Sequence, residues 1–297
     1  MKIQKVLVTG ALGMLGRAFC DEANQMTCHG LSHQQLDVTD RDSVLALDDE
    51  GYDAIVHCAG EVNADLCETE RDHCERTHVQ GTKNILTLAE RCGAKVLYPQ
   101  SFLIFDGSDQ PVTESTRPNP LSWYSTCKLA AANAVREASE SHLIIQMGGF
   151  FGGDEKDKNF VGKFVPHVIK QIKNGQTGMS VGDRIWQPTY THDLARNCMH
   201  LLSAGNTGIY NMASHGAASF YELAVECVHQ LGLSDRFKIT EVPAADVAGT
   251  EPARRPDRLI MTNARMQVEG LDLQRPWKEA LAEYLKRPYF QKMIECL

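Results

Sequence analysis

The chain has 297 residues, of which 43% are hydrophobic and 23% are charged. This balance is typical of a folded globular protein with a substantial apolar core, and it excludes a disordered chain, a fibrous chain and a disulfide-held mini-protein. Thirty basic residues against 38 acidic residues give a formal net charge of −8. A net negative surface repels polyphosphate, so neither nucleic acid nor an anionic membrane is expected as a partner.

The ten cysteines are scattered along the chain without a C-x-x-C pair or a zinc-ligand spacing. We therefore expect reduced thiols and no metal site, and we interpret Cys127 as a small packed thiol. Thr9 and Gly10 interrupt the first apolar run too early for a signal peptide, and no segment reaches the ~18 apolar residues of a membrane span. These features predict a cytoplasmic protein.

Short runs rich in Val, Ile and Leu alternate with longer amphipathic stretches in the first half of the chain. This alternation is typical of an α/β fold, a doubly wound parallel sheet with helices on both faces. The strands are predicted at Lys5–Thr9, Thr27–Leu31, Asp53–Ala59, Lys95–Gln100 and Leu143–Met147. The helices between them are predicted at Leu15–Ala23, Arg71–Arg91 and Trp123–Ser139.

The pattern changes at Gly148, where the sequence GGFFGGDEKDKN is typical of a loop. Later elements are predicted as helices at Phe160–Lys173, His192–Ser203, Phe220–Leu231 and Trp277–Lys286, a strand at Ile209–Met212, and a turn-rich segment, NGQTGMSVGDR. We expect a Rossmann unit built from residues 1–147 and about 188–236. A smaller, discontinuous C-terminal substrate lobe would comprise residues of about 148–187 and 237–297.

The first predicted strand ends in a glycine pattern, Gly10-x-x-Gly13-x-x-Gly16, that opens the first helix. Glycine allows a sharp strand-to-helix turn and a close approach of the backbone to a pyrophosphate, while the helix N-terminus offers free N–H groups at Met14 and Leu15. The alternative is a tight structural turn without a ligand. The position between a strand and a helix favours dinucleotide binding.

The end of the second predicted strand selects between the two nicotinamide cofactors. An enzyme that uses NAD usually places a carboxylate there, against the ribose 2′-hydroxyl, but this chain has Ser32 and His33. Neither residue repels a 2′-phosphate, and Arg17 could lie nearby, so NADP(H) is favoured and NAD(H) is the alternative. Asp37 and Val38 are candidate adenine contacts, although Asp37 could instead be a loop acid or a helix cap.

Tyr124 and Lys128 lie four residues apart on a predicted helix, so their side chains share one face. A fixed ammonium near a phenol favours the phenolate, which would make Tyr124 a proton donor and acceptor near neutral pH. Ser101 ends the fourth predicted strand at the edge of the sheet where α/β folds bind ligands, and its hydroxyl could orient a carbonyl. Alone, Ser101 would be interpreted as a turn or cap residue.

The glycine pattern, Ser101 and the Tyr124/Lys128 pair, in this order, resemble the extended short-chain dehydrogenase/reductase superfamily. Further segments resemble the dTDP-4-dehydrorhamnose reductase family over nearly the whole chain: CAGEVNADLCE, QSFLIFDG, PVTESTRPNPLSWYSTCK, KNFVGKFV, GDRIWQPTYTHDLA and ARRPDRL. The resemblance implies a Rossmann domain with a small sugar-nucleotide domain. It also implies reduction of a sugar 4-ketone by NAD(P)H.

The resemblance assigns roles to individual positions of this chain. Ser101, Tyr124 and Lys128 match the catalytic set, with Tyr124 as the acid and Lys128 as the group that holds the ribose. The segment after the third strand would pass the cofactor, at Cys58, Ala59 and Gly60. The implied substrate contacts are Val62, Phe102, Asn159, Arg184 and Arg255, of which Arg255 would bind the diphosphate. Asn159 could instead be a helix cap, and Arg255 part of a solvated charge run.

Several positions depart from the family pattern in the sugar pocket. The family's Asp-Tyr pair is Phe102-Leu103 here, and five further family residues, Thr, Arg, Trp, Gln and Asn, are replaced by Val62, Gln146, Gly149, Arg184 and His78. A site that binds a sugar through its hydroxyls discriminates strongly when those polar partners change. The resemblance therefore predicts the reductive chemistry without fixing the sugar.

Two other functions remain open at this point. The β subunit of methionine adenosyltransferase resembles the same family, so a regulatory subunit that binds NADP is one alternative. An epimerase or dehydratase that holds NAD⁺ tightly is the other. Family members can form metal-linked dimers, so a homodimer is compatible with the resemblance, but we match no metal ligands in this chain.

Overall fold

The computed structural model describes residues 3–247, 249 and 251–297. Residues 1, 2, 248 and 250, which fall within the two predicted units, lie outside the described residues. The centre of the fold is a six-stranded parallel sheet. In chain order its strands are β1 (Lys5–Thr9), β2 (Thr27–Leu31), β3 (Ala54–His57), β4 (Lys95–Ser101), β5 (Leu143–Met147) and β10 (Gly208–Met212).

The first half of the chain supplies helices α1 (Met14–Glu22), α2 (Arg41–Leu45), α3 (Ala64–Thr69), α4 (Arg71–Glu75), α5 (Gly81–Cys92) and α6 (Trp123–Ala138). The second half supplies α7 (Phe160–Lys173), α8 (Thr191–Ala204), α9 (Phe220–Gln230), α10 (Ala244–Val247), α11 (Ala264–Glu269), α12 (Trp277–Leu285) and α13 (Pro288–Glu295). The short outer strands are β6 (Phe150–Phe151), β7 (Gly178–Gly182), β8 (Ile185–Trp186), β9 (Thr189–Tyr190), β11 (Ala218–Ser219) and β12 (Lys238–Val242).

The central sheet is buried on both faces, which confirms the predicted doubly wound α/β fold. Along β1, Val6 and Val8 join the core beneath α1 and α8, whereas Leu7 joins the core beneath α5 and α6. Successive side chains of a strand point to opposite faces, so a continuous apolar run fits a strand covered on both sides. Helices on the two sides of the sheet therefore cover both faces of β1.

The strand order β10-β5-β4-β3-β1-β2 places β2 and β3 on opposite sides of β1. The chain thus changes direction along the sheet at β1. In open α/β sheets, the crevice outside the carboxyl ends of the strands at such a point is where ligands bind. The glycine turn after β1, the loop after β3 and Ser101 at the end of β4 all open onto this edge of the sheet.

A second core lies outside the central sheet. It contains apolar side chains of α7, α9, α12 and α13, together with Val181 of β7 and Ile239 of β12. β7 and β12 pair in parallel, and Phe151, Tyr190 and Tyr284 stack at the centre of this core with ring centroids 5.4–5.5 Å apart. This second unit covers one side of the ligand-binding edge.

Three predicted segments differ from the structure. The turn-rich segment NGQTGMSVGDR contains strand β7, and its partner strand β12 was not predicted. The loop predicted at 148–159 contains strand β6, which pairs with β9. The single helix predicted at Arg71–Arg91 is divided into α4, a π-helical turn at Arg76–Gln80 and α5.

The predicted domain boundary near residue 236 does not coincide with the change in packing. Leu223, Cys227 and Leu233 belong to the second core, although the sequence places residues 220–236 in the Rossmann unit. Conversely, Met266 of α11 packs in the core of the central sheet, although the sequence places it in the substrate lobe. The apolar periodicity of α9 predicted a helix but carried no information on which core receives it. We propose that the continuous part of the Rossmann unit ends near β10 and that α11 belongs to the same unit as a later segment.

No helix among the described residues is long and apolar enough to cross a membrane. All ten cysteines are free thiols.

Candidate active site

The glycine turn after β1 has the geometry of a phosphate cradle. Gly10 has a φ of +65°, and a Cβ on this residue would lie 2.9 Å from the backbone nitrogen of Ala59. A Cβ on Gly16 would lie 2.3 Å from the carbonyl oxygen of Gly10. Both positions therefore require glycine, because the contacted atoms belong to the backbone and cannot move aside cheaply.

Helix α1 begins directly after this turn, with Gly13 as its N-cap and no side chain capping its first N–H groups. The first turn, which starts at Met14 and Leu15, contains no acidic residue. Unpaired N–H groups and the positive end of the helix dipole favour an anion at this point. The residues present therefore fit the pyrophosphate of a dinucleotide.

A buried polar chain holds the loop after β3. Thr9 Oγ1 accepts a hydrogen bond from the Ala59 N–H at 3.1 Å and lies 2.9 Å from His57 Nδ1. His57 Nε2 lies 3.2 Å from Thr82 Oγ1, and burial lowers the pKa of His57 to about 3, so this imidazole is neutral. These hydrogen-bonded side chains fix Cys58, Ala59 and Gly60 beside the glycine turn. The sequence predicts that the three residues pass the cofactor there.

The end of β2 carries no carboxylate against the predicted ribose position. Ser32 is buried, and both its backbone N–H and its hydroxyl donate to Gln35 Oε1, at 3.0 and 2.8 Å. His33 is exposed. Arg17, expected near the 2′-phosphate, instead forms a half-exposed ion pair with Glu155 at 3.5 Å.

Asp37 and Val38 occupy the loop beyond this position. The Asp37 carboxylate accepts hydrogen bonds from the N–H and hydroxyl of Thr39, at 2.9 and 2.8 Å, and these bonds hold its pKa below the usual value. Val38 is buried against α5, next to Gly81. The Asp37 carboxylate is thus bound to its own loop, which matches the loop-acid alternative.

The structure brings Ser101, Tyr124 and Lys128 together at the carboxyl end of β4. Ser101 caps a short 3-10 turn by accepting a hydrogen bond from the Leu103 N–H at 3.2 Å. Helix α6 packs against the end of β4, where the Gln100 side-chain amide donates to the Lys128 carbonyl at 2.8 Å. Tyr124 and Lys128 lie one turn apart on α6, whose N-terminus is capped by Ser122. The predicted helix therefore places the phenol and the ammonium at the sheet edge that carries the glycine turn.

The ionisation of this set differs from the sequence prediction. Lys128 was expected to lower the pKa of Tyr124, but burial raises the pKa of Tyr124 to about 12, and the polar Ser101 hydroxyl opposes this shift only in part. The Lys128 ammonium lies elsewhere, since its Nζ donates to the Pro99 carbonyl at 2.7 Å and sits 4.1 Å from the centroid of the Tyr98 ring. Burial also lowers the pKa of Lys128 to about 7.

His78, at the position of a family Asn, packs edge-on against Tyr124 with ring centroids 5.4 Å apart. Its Nε2 donates to the Glu61 carbonyl at 2.9 Å, and burial lowers its pKa to about 3. The neutral imidazole of His78, in the π-helical turn after α4, therefore packs against the Tyr124 phenol.

The residues predicted to contact the sugar lie in different surroundings. Val62 is 65% exposed at the rim of the site. Phe102 packs against an apolar cluster that joins the end of β4 to residues 259–261. Asn159 precedes α7 without capping it, because its side-chain amide donates to the Phe150 carbonyl at 2.7 Å. The Asn159 side chain is therefore held by the protein itself.

Both predicted arginine contacts are engaged in ion pairs. Arg184 lies 3.1 Å from Glu251 and 3.7 Å from Asp257. Arg255 forms two hydrogen bonds with Asp65, from Nη1 at 3.1 Å and from Nη2 at 3.0 Å. The guanidinium that the sequence assigned to a diphosphate is thus neutralised by a carboxylate at the start of α3.

Trp186 is a residue of this region that the sequence reasoning missed. A Cβ on Gly149 would lie 2.2 Å from the Trp186 ring, and this ring also stacks on Phe220 at 5.2 Å. The Trp186 indole, from β8, therefore occupies the space beside Gly149. Nearby, the side-chain oxygen of Gln146 is buried without a hydrogen-bond partner.

Comparisons with known proteins identify the family of this chain. The model of the RmlD substrate binding domain family matches residues 4–290. The chain belongs to this family. The dTDP-4-dehydrorhamnose reductase of Mycolicibacterium smegmatis is 27% identical over 94% of this chain and 84% of its own length. The methionine adenosyltransferase 2 subunit beta of Rattus norvegicus is 28% identical over 95% of this chain and 87% of its own.

A solved structure extends the likeness to the three-dimensional fold. The dTDP-4-dehydrorhamnose reductase of Bacillus anthracis, in complex with NADP, superimposes with a TM-score of 0.85 at 26% identity, covering 96% of this chain and 99% of the other. The predicted resemblance to this reductase family is confirmed. The chain has both the glycine turn and the residues Ser101, Tyr124 and Lys128 in one fold of this family.

Proposed function

We propose that the protein is an NADPH-dependent reductase of a 4-keto-6-deoxy nucleotide sugar, similar to dTDP-4-dehydrorhamnose reductase. The observation that carries the proposal is the packing of α6 against the end of β4, which brings Tyr124 and Ser101 to the edge of the sheet that also bears the glycine cradle. A binding scaffold would need the cradle alone. A reductase needs, in addition, a proton donor and a hydroxyl that hold a carbonyl oxygen.

Ser101, Tyr124 and Lys128 have separate roles in the reduction of the ketone. Ser101 donates a hydrogen bond to the ketone oxygen, and Tyr124 transfers its phenolic proton to that oxygen as negative charge develops there. Lys128, one turn along the same face of α6, would hold the ribose of the cofactor. Bound NADPH supplies the hydride to the ketone carbon. The raised pKa of Tyr124 keeps the phenol protonated before the reaction.

The choice of NADP(H) over NAD(H) rests on the end of β2. Ser32 and the exposed His33 place no carboxylate there, so nothing at these positions repels a 2′-phosphate. The relative from Bacillus anthracis is solved with NADP. We expect NADP(H) to bind more tightly than NAD(H).

The apolar side chains of the sugar pocket bear on the class of substrate. Phe102 and Trp186 are apolar where the family pattern has polar or differently placed groups, and Asn159 is bonded to the Phe150 carbonyl. An apolar wall suits the methyl face of a deoxysugar and loses discrimination between hydroxyl configurations. We propose a nucleotide-linked 6-deoxy-4-ketosugar as the substrate class.

The test is the substitution Tyr124→Phe, assayed as oxidation of NADPH with a panel of 4-keto nucleotide sugars. We expect turnover to fall by a factor of about 10²–10⁴, the usual contribution of a general acid, while the affinity for NADPH stays within a few-fold of the original. Tyr221→Phe, on α9 outside the site, is the matched control and should keep full activity. Full activity in Tyr124→Phe would end the proposal.

A regulatory subunit is the second candidate function. It is favoured by one observation, the Arg255–Asp65 pair, because a guanidinium already bound to a carboxylate is not free for the diphosphate of a sugar nucleotide. The likeness to the methionine adenosyltransferase 2 subunit beta of Rattus norvegicus supports it. Co-purification with a partner enzyme, together with no oxidation of NADPH by any nucleotide sugar, would decide for this function.

An epimerase or dehydratase is the third candidate. Such an enzyme oxidises and re-reduces its sugar with a tightly held NAD⁺, so denaturation of the purified protein would release NAD⁺. We expect no such release.

We further propose that the protein acts in the cytoplasm on a small molecule, as a monomer or a homodimer, without a nucleic-acid or membrane partner. The net charge of −8 supports the absence of a polyanionic partner.

A further inference from the structure

Three thiols from three helices meet beside the catalytic phenol. Cys67 of α3, Cys74 of α4 and Cys127 of α6 form one cluster, and each is at most 2% exposed. Contacts with the thiols of Cys127 and Cys67, together with burial, raise the pKa of Cys74. Tyr124 packs against this cluster. The three sulfurs thus lie in one buried pocket that the proposed reduction does not use.

An imidazole completes the group. The ligand atoms of Cys67, Cys74 and His78 all lie within 4.8 Å of one another, and all three residues are buried. Nε2 of His78 donates to the Glu61 carbonyl, and a metal-binding histidine usually makes such a bond with its other ring nitrogen. This bond leaves Nδ1 with the free lone pair, and binding through Nε2 would require the bond to break.

We propose that Cys67, Cys74 and His78 form a binding site for one divalent metal ion of the zinc type, with Cys127 of the same buried cluster as the fourth donor. Three thiolates and one imidazole are a donor set that zinc prefers, in tetrahedral geometry. Binding is not a redox step: each thiol gives up its proton to solvent, and each sulfur donates an electron pair to the ion. The ion also offsets the cost of burying thiolates, which is prohibitive without a partner charge.

Three of the four ligands need only a small contraction to reach this geometry. Zinc–sulfur bonds of about 2.3 Å place tetrahedral sulfurs about 3.8 Å apart, so the ligand atoms of Cys67, Cys74 and His78, within 4.8 Å of one another, must close by at most about 1 Å. Cys127 lies outside this group and must move further. Helices α3 and α4 have six and five residues and are followed by the π-helical turn that carries His78. Such short elements are marginal on their own and open locally at low cost, which also gives the ion a way in.

The site would act on the neighbouring phenol. Three thiolates and one divalent cation leave one net negative charge beside Tyr124, and a negative charge opposes formation of the phenolate. Bound zinc therefore slows any step in which Tyr124 gives up its proton. This consequence rests on the proposed function, whereas metal binding itself does not.

The sequence showed no zinc spacing because the ligands come from separate segments. Six residues lie between Cys67 and Cys74, three between Cys74 and His78, and 48 between His78 and Cys127. Only the packing of α3 and α4 against α6 brings them together.

Titration with Co²⁺, under a phosphine reductant that keeps thiols reduced, tests the site directly. We expect one Co²⁺ per chain, the intense near-ultraviolet absorption of cobalt bound to thiolates, and displacement by Zn²⁺. Cys67→Ser and Cys74→Ser should each weaken Co²⁺ binding by at least about 100-fold, since each removes one of four ligands. Cys28→Ser is the matched control, because Cys28 contacts Cys20 in a separate thiol pair, and it should bind Co²⁺ normally.

Circular dichroism first establishes that each variant folds. If Cys74→Ser does not fold, Cys67→Ser carries the test alone. No thiolate absorption in the original protein would overturn the proposal, and so would absorption that survives in both ligand variants or disappears in Cys28→Ser. A disulfide between Cys74 and Cys127 that persists under the reductant, seen by mass spectrometry, would overturn it as well.

Discussion

Tyr124 and Lys128 show how burial sets the protonation of single residues in the candidate site. The protein interior disfavours the charged form of each, so the phenol has a pKa of about 12 and the ammonium a pKa of about 7. The Ser101 hydroxyl and the Pro99 carbonyl offset these penalties in part. The resting site therefore holds a protonated acid beside a lysine that is poised to change its charge near neutral pH.

The depressed pKa of Lys128 predicts a particular dependence of stability on pH. The pKa falls from 10.5 in a model peptide to about 7 in the fold, so unfolding takes up a proton between these values. The stability contributed by this residue therefore rises with pH across that window, by at most about 1.4 kcal/mol per pH unit. Below pH 7 both states are protonated and the penalty is constant.

Lys128→Met should remove this penalty. We expect the variant to be more stable than the original chain at pH 6–7, with an advantage that shrinks as the pH approaches 10. Urea unfolding of protein freed of cofactor measures it at several pH values. Lys95→Met is the control, because Lys95 Nζ also donates to a backbone carbonyl, that of Gly205, but from an exposed position. A difference that does not change with pH would contradict the prediction.

At the scale of helices and strands, the sequence predicted the six strands of the central sheet, most of which bury apolar residues, and missed β7 and β12. β1 and β5 are continuous runs of Val, Ile and Leu, and their predicted bounds are confirmed. β7 and β12 read GMSVG and KITEV, in which glycine and polar residues hide the strand pattern. Their pairing joins residues 60 positions apart, which local periodicity does not report.

The candidate site was predictable where it depends on the local pattern of strands and helices, and not where it depends on the packing of distant segments. Ser101, Tyr124 and Lys128 lie at positions that the strand and helix pattern alone brings to one edge, and the structure places them together. The thiol cluster of Cys67 and its partners depends on the packing of separate helices. The contact of Trp186 with Gly149 was hidden for the same reason, because it joins strand β8 to the segment that follows β5.

Helix α9 offers a test of the second core at this scale. Ser219 and Glu222 form a capping box at its N-terminus, with bonds of 3.0 and 2.7 Å. Ser219→Ala should lower the free energy of unfolding by about 1 kcal/mol, because it leaves a helical N–H without its acceptor. Ser203→Ala is the control, since Ser203 only donates back to the Met199 carbonyl within α8. Equal stability of the two variants in urea unfolding would contradict this assignment.

At the scale of the whole molecule, the Arg255–Asp65 pair joins the two units across the site. Arg255 lies on the second-unit side of the sheet edge and Asp65 on α3, and their side chains are 23% and 36% exposed. The pair holds the pKa of Asp65 below its usual value. A nucleotide sugar that binds through Arg255 must therefore compete with Asp65 for the guanidinium.

Asp65→Asn should release this competition. We expect the affinity for a nucleoside diphosphate to rise several-fold and the free energy of unfolding to change by no more than about 1 kcal/mol, as for a partly exposed pair. Calorimetric titration with dTDP measures the affinity. Asp257→Asn is the control, because Asp257 lies on the same loop as Arg255 but contacts Arg184. This variant should leave the affinity for dTDP unchanged. Weaker binding by Asp65→Asn would show that Arg255 serves the structure and not the diphosphate.

The most direct measurement follows a single deuterium atom. The protein is incubated with NADPH carrying deuterium at the transferable position and with a 4-keto-6-deoxy nucleotide sugar, and mass spectrometry locates the label. Our account predicts one deuterium at the former ketone carbon, and next to none when Tyr124→Phe is used under the same conditions. Recovery of every sugar in the panel unlabelled, with the NADPH still intact, would contradict it.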